Sequence, residues 1–432
     1  MRTAFRILLS GLLTLPLLAA CGGGGVSPSA GEVRLVNATD EFGTLDLYES
    51  SDRLTNGVAA FTASNYEDLD KGDYTFSVRG GVAGATIATL DATLAKESHL
   101  TLVAYSNAGT AALAAVDEDE DRPDKDSAKL RFFNTASNDS GSIDAYLIAS
   151  GSTCSDLSTS TAVATAVSDL QTVFTDINKS GADPYRLCIT AAGDRTDVRL
   201  DADLTVGDRE VVTVILTRTR GAVLLNGAIL VQEGDVSQVT NTFARVRLVV
   251  GTGSVTASFG TTTLGADVSA PSVGQYVLVK AATAAADLVV TRNGVAVTPS
   301  APIVLEGGKD YTLLVGAAGG ANATLLPDDN ARSTNATKPV KIRLVHGASN
   351  ANPASLDVGS DATGAVAPGD DSPYILTEAS GATATTISVT AGGTLLCTGT
   401  ATLSATPTVY SVFVLGTLPT TPVSACLLRT DR

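Results

Sequence analysis

The 432-residue sequence has no tryptophan, one methionine and two histidines, and aromatic residues make up 5% of it. So few rings argue against a carbohydrate module that works by stacking, which needs broad flat faces on its surface. His99 and His346 fall in different parts of the chain. A histidine metal cluster, or a nucleophile with a histidine base, therefore has little to build on. No C-x-x-C occurs, which disfavours a redox motif or a zinc knuckle. Neither a phosphate-cradling Gly-rich loop with its lysine nor a Gly-x-Ser-x-Gly elbow is present. Positive charge is scarce as well: 29 Lys and Arg face 45 Asp and Glu, for a net charge of −16. An acidic chain is a poor ligand for nucleic-acid phosphates or an anionic membrane face.

What the chain does have begins at its N-terminus. "MRTAFRILLSGLLTLPLLAACGGGG" puts Arg2 and Arg6 before an apolar run from Ile7 to Ala20. That run falls short of the ~20 apolar residues of a membrane span and fits an export signal. "LAAC", Leu18 to Cys21, resembles the lipobox of bacterial lipoproteins. The resemblance implies cleavage after residue 20 and acylation of Cys21, which anchors the chain in a membrane. Gly22, where an aspartate would favour inner-membrane retention, implies the outer membrane, with the chain facing the periplasm or the cell surface. Residues 21–31 then read as a lipidated cysteine followed by a flexible Gly-rich tether. Loss of Arg2 and Arg6 with the signal takes the net charge from −16 to −18.

Four further cysteines, Cys154, Cys188, Cys397 and Cys426, suit an exported protein with disulfides. Three pairings are possible. Cys154–Cys188 and Cys397–Cys426 are preferred because each then lies within one internal repeat, and each would contribute roughly 3–4 kcal/mol.

Four copies of one unit account for the rest. Each opens on a strand-like stretch: "EVRLVNA" from Glu32, "AKLRFFN" from Ala128, "ARVRLVV" from Ala244 and "KIRLVHG" from Lys341. Apolar residues flank an arginine in every copy: Arg34, Arg131, Arg247 and Arg343. The position of His346 holds Asn37, Asn134 and Val250 elsewhere. A second stretch carries Asp46, Asp144 and Asp357, with Thr256 in the third copy. Then come "KGDYTFSV", "GADPYRLCI" and "VGQYVLV", aligned on Tyr74, Tyr185 and Tyr276, with "ATTISV" in the fourth copy. Late and closing strands complete each unit. About seven short strands per copy predict an all-β chain of four tandem antiparallel immunoglobulin-like β-sandwich domains. The tyrosines are candidates for the corner in which a hydroxyl reaches back to nearby backbone. "TAVATAVSDLQTVF" in the second copy is the best candidate helix.

The domains are expected at 32–116, 128–243, 244–326 and 340–432. The charged stretches 117–127 and 327–339 should be solvated linkers. The repeats resemble a bacterial family known as the domain of unknown function 4397. "KIRLVHGASNANPASLDVG", Lys341 to Gly359, carries the resemblance best, and the first two copies carry it more loosely. The third departs most. The family implies a fold and no transferable chemistry.

Candidate sites are few. His346 lacks companions, so a structural strand histidine is expected rather than a metal ligand or base. The arginines are expected on the solvent face of the opening strand, Arg343 pairing with Asp357, rather than forming a repeated acidic-ligand site. Asp117, Asp119 and Asp121 alternate as a calcium loop begins, but Arg122 and Ala128 stand where its glycine and closing glutamate belong. No metal, cofactor, catalytic residue or nucleic-acid partner is expected. The function expected is a non-catalytic, lipid-anchored envelope protein acting as spacer, scaffold or adhesion-type binding surface. The alternative is an envelope-glycan or small-ligand binder using loops of the second domain, which carries the insert around Cys154. Its partners would be the membrane through the anchor and an envelope protein or glycan.

Overall fold

The computed structural model describes residues 29–39, 41–80, 84–107, 109–171, 173–179, 184–219, 221, 223–281, 288–299, 301–316, 322–349, 352–417 and 425–432. Cys21, residues 1–20 expected to be a signal and most of the expected tether lie outside the described residues. Each repeat forms two sheets of four or five strands. The opening strands are Ala30–Asn37, Ser127–Asn134, Phe243–Val250 and Val340–Ser349. Each lies in the middle of its sheet. On one side it runs parallel to the late strand (His99–Asn107, Val211–Arg218, Asp310–Val315 or Thr408–Thr417), and the other ladders are nearly all antiparallel. The second strand (Leu45–Glu49, Ile143–Ile148, Ser254–Phe259 or Ala354–Val358) anchors the facing sheet. There are more strand segments than expected because the strand that switches sheets breaks where it crosses between them.

Alternation explains the cores. Val33 and Leu35 of the first opening strand point into a cluster with Leu45, Phe76 and Leu102. Corresponding cores fill the other three sandwiches. The disulfides Cys154–Cys188 and Cys397–Cys426 form, with Cα atoms 5.6 and 6.2 Å apart. The expected helix is absent: Ala162–Val167 is a strand, and the only helix among the described residues is Ser137–Ser140. Short Ala, Val and Thr residues alternate there, and that period favours a strand over a helix.

The repeats are packed together in pairs. The second residue after each arginine (Val36, Phe133, Val249, Val345) faces away from its own core. Val36 and Phe133 meet in a cluster with Val103, Val116, Ile215 and Leu230, between repeats one and two. Val249 and Val345 meet Leu314, Leu326, Phe413 and Leu415 between repeats three and four. In the second interface a Cβ on Gly251 would sit 2.3 Å from the Gly347 carbonyl oxygen, so this backbone approach needs glycine. The two pairs also touch: the Gly221 amide donates to the Gly308 carbonyl at 3.1 Å, and Arg332 reaches the Asn138 carbonyl at 3.3 Å.

The stretch 117–127 is solvated only in part: Asp121, Arg122, Asp124, Lys125 and Asp126 are exposed, whereas residues 118–120 engage protein groups. Glu118 is 2% exposed, Asp119 holds His99 at 2.9 Å, and Glu120 pairs with Lys129. Gln232 of the second repeat exchanges hydrogen bonds with the Glu120 backbone. Of the alternating carboxylates Asp117, Asp119 and Asp121, Asp119 is taken up by His99, and Asp117 accepts from the Asp119 amide.

Candidate functional site

The four arginines are buried, not on a solvent face. Arg34, Arg131, Arg247 and Arg343 are 3, 6, 2 and 0% exposed. They sit where two repeats press together, because the outer face of each opening strand is covered by the neighbouring copy. Each is surrounded by equivalent groups. The parallel strand supplies a hydroxyl to Nε: Thr101 at 2.9 Å, Thr213 at 2.9 Å, Thr312 at 2.8 Å and Ser411 at 3.1 Å. An aromatic ring lies 4.3 to 4.9 Å from each guanidinium: Tyr66, Phe174, Tyr276 and Tyr374. The antiparallel neighbour carries this ring directly opposite the arginine, as the Arg247–Tyr276 register illustrates.

The acid comes from the end of the closing strand. Asp328 and Asp431 exchange across the interface: Arg343 pairs with Asp328 of repeat three, and Arg247 with Asp431 of repeat four. Arg343 also holds Asp371 at 2.5 Å, and Asp357 is not its partner. In repeat one, Arg34 grips Glu118 at 2.7 Å and donates to the Gly234 carbonyl of repeat two at 2.6 Å. The second repeat has Gln232 at this register position, so Arg131 donates to the Asp117 carbonyl instead, at 2.6 Å. Burial lowers the pKa of Arg131, offset only in part by Asp117, Glu118 and Glu120. Burial would likewise depress Arg343, but Asp328, Tyr374 and Asp371 more than reverse it. The second-strand acids do something else: Asp46 accepts from the Gly57 amide at 2.7 Å and Asp144 from the Ala166 amide at 2.8 Å, pinning bulged turns.

The tyrosines separate into two kinds. Tyr74 donates to the Asp70 carbonyl at 2.5 Å and Tyr185 to that of Asn178, as corner tyrosines do. Tyr276 donates to the Asp328 carboxylate at 2.5 Å. Its strand, Ser272–Lys280, pairs with the opening strand, so the true counterpart of Gly72–Gly80 is Leu288–Arg292. The two Gly-x-Tyr strands look alike because alternation does not record which sheet a strand joins.

His346 is fully buried, and its Nε2 lies 3.1 Å from the Asn352 carbonyl oxygen. Asn37 and Asn134 tie equivalent turns through two carbonyls each. The histidine is therefore a turn tie. Burial lowers its pKa, against a smaller opposing pull from its hydrogen bond to Asn352. His99 behaves oppositely: burial pulls it down, but Asp119, Glu233 and Glu32 raise it above its ordinary value. A lowered folded pKa means that the unfolded chain takes the proton first. His346 therefore costs stability as pH falls below ~6.5. A raised folded pKa means that His99 contributes fully below ~6.5 and loses its contribution as pH rises through the folded value. In thermal unfolding at pH 5 and pH 8, His346→Gln should improve acid stability relative to alkaline, and His99→Gln should worsen it. Equal shifts at both pH values would refute the assignment.

A cleft of about 1540 Å³ lies among repeats two, three and four. The insert places Thr153, Cys154 and Ser155 on one wall, and the strand Ser272–Lys280 forms another. Arg429 to Asp431 close the third side. Six of the nine charged lining residues are in ion pairs. Arg186 pairs with Asp201 and Asp203, Arg245 with Asp310, Arg247 with Asp431 and Asp197 with Arg199. Cys154, Cys188 and Asp201 cluster tightly, but the two sulfurs are bonded to one another and offer no thiolates. The sequence pointed to the insert around Cys154 but not to the walls from repeats three and four, which meet it only once the repeats dock.

Residues 31–146 match the family model of a domain of unknown function (DUF4397), so the first repeat and the opening of the second resemble that domain family. No curated protein matches the chain. Among solved structures, the family CBM26 module CBMbc of Eubacterium rectale Amy13K, in complex with maltoheptaose, is similar over 47% of this chain and 97% of its own, at 10% identity and a TM-score of 0.16.

Proposed function

We propose that this is a non-catalytic, lipid-anchored protein of the bacterial outer membrane whose four repeats form one rigid docking platform. The observation that carries the reading is the burial of an arginine from every repeat against groups of its neighbour. A chain of independent beads would leave these faces in water, whereas here each pair shares an apolar core and matched charges. A rigid block holds contact surfaces in fixed relation, as a scaffold or adhesion-type surface requires. Acylated Cys21 and the glycine tether would connect it to the membrane. A second reading, a small-ligand or glycan binder, is favoured by the insert that walls the cleft.

Two measurements test the main reading. Cells fed labelled palmitate should acylate the wild-type chain and not Cys21→Ser, and the variant should leave the membrane fraction. A labelled, membrane-bound Cys21→Ser protein would end the anchoring claim. Solution scattering of residues 29–432 should fit one compact particle, and an extended, flexible profile would end the platform claim.

A further inference from the structure

The sheet-switching strand distinguishes the third repeat from the others. In repeat one the edge beside the opening strand is broken into Thr62–Ala63 and Glu67–Asp70. In repeat two it is Thr175–Asn178 plus a lone bridge at Leu170, and in repeat four Ile375–Thr377 plus a bridge at Asp371. In repeat three it is one nine-residue strand, Ser272–Lys280. Its sequence, SVGQYVLVK, holds a single charge, Lys280. A bulge near Gly274 bends one end, and Tyr276 to Lys280 stay in regular register with Arg247 to Phe243. Among the described residues the strand pairs on that side only. Proteins usually break or charge a long edge, because its unpaired amides and carbonyls recruit other strands. Repeats one, two and four do so, and repeat three presents its edge to the cleft.

Resting on the docking-platform reading, we propose that Ser272–Lys280 is a strand-addition site for an extended, acidic segment of a partner protein. Main-chain pairing along the edge would provide affinity, and alternate side chains would enter the cleft. Charge selects the occupant. Lys280 and Arg429 are exposed in the lining and form no ion pair with a described residue. Asp194, bonded to Thr196, is the one lining carboxylate outside an ion pair. The unpaired charges of the cleft are thus two exposed cations and one carboxylate, in a chain whose total is −16. A second copy would bring the same two cations and a like net charge against them. A stacked sugar finds no free ring: Arg245 and Arg247 lie over Tyr276, whose hydroxyl is held by Asp328, and Phe243 is half-buried.

The test uses residues 29–432 and fluorescence anisotropy at low salt. The probe is a labelled decapeptide alternating glutamate with valine and threonine. Main-chain pairing tolerates sequence, so this probe should bind saturably. The same peptide N-methylated at alternate residues keeps its charge and loses strand donors, and should bind at least tenfold more weakly. Replacing its glutamates with lysine should abolish binding. Lys280→Glu with Arg429→Glu should weaken the acidic probe at least tenfold while leaving the scattering profile unchanged. No binding by the acidic probe, equal binding by the N-methylated peptide, or equal competition by oligogalacturonate would overturn the proposal. The last outcome would point to an acidic glycan. A compact scattering profile with any of these results leaves the platform standing and removes only the strand-addition site.

Discussion

Asp328→Ala should lower stability by about 3–5 kcal/mol, the loss expected when one member of a buried charge cluster is removed. Asp328 has a side-chain exposure of 0% and accepts from Arg343, from Thr312 at 2.7 Å and from Tyr276 at 2.5 Å. Arg247 lies 3.4 Å away. Two guanidiniums would thus lose a shared anion in a place water does not reach. Burial alone would raise the Asp328 pKa, but Arg343 and Arg247 outweigh it and hold the carboxyl below its ordinary value. Its contribution is therefore present above the unfolded value of ~3.9 and is lost as pH falls through the folded one. Urea unfolding at pH 7 measures the difference, which should shrink when repeated at progressively lower pH below ~3.9. A loss under about 1 kcal/mol at pH 7 would show that the cluster is no stronger than an exposed pair. Replacing Arg343 by Met together with Asp328 by Leu should recover part of the loss, since an apolar pair leaves less charge stranded.

The arginines show where sequence reasoning stops. Their recurrence was plain, and so were the strands, because alternation around Arg34 or Arg343 has a period of two. Their burial was misjudged because a charged residue opposite a core face normally meets water. A signal was nevertheless present. Each arginine is followed by apolar residues at both of the next two positions, such as Leu35 and Val36 or Phe132 and Phe133. A strand apolar on both faces is covered on both faces. The acid was harder to find, since it lies a whole strand away, at Glu118, Asp328 and Asp431, and in repeat three and four it serves the other copy. The third-repeat edge misled for a different reason: a Gly-x-Tyr match concealed a strand in the other sheet. The cleft lay beyond any one repeat, since its walls come from three of them.

Ending the chain at residue 329 should unfold the third repeat along with removing the fourth. Val249, Leu314 and Leu326 are 0, 1 and 4% exposed, and all three face repeat four. Uncovering three aliphatic side chains costs roughly 5–9 kcal/mol at about 1.5–3 kcal/mol each. That alone approaches the 5–15 kcal/mol total of an ordinary domain. Two buried charges lose partners as well: Arg247 loses Asp431, and Asp328 loses Arg343. Repeats one and two keep their shared cluster and the Arg34–Glu118 pair, so they should remain folded. Hydrogen exchange distinguishes the cases. Amides of Phe243–Val250 should lose protection in the shortened chain, and those of Ala30–Asn37 should keep it. Protection retained along Phe243–Val250 would mean that the third sandwich stands on its own core, and that its buried arginine tolerates water. The stable unit of this chain would then be the single repeat, whereas the shared cores and exchanged acids make it the pair.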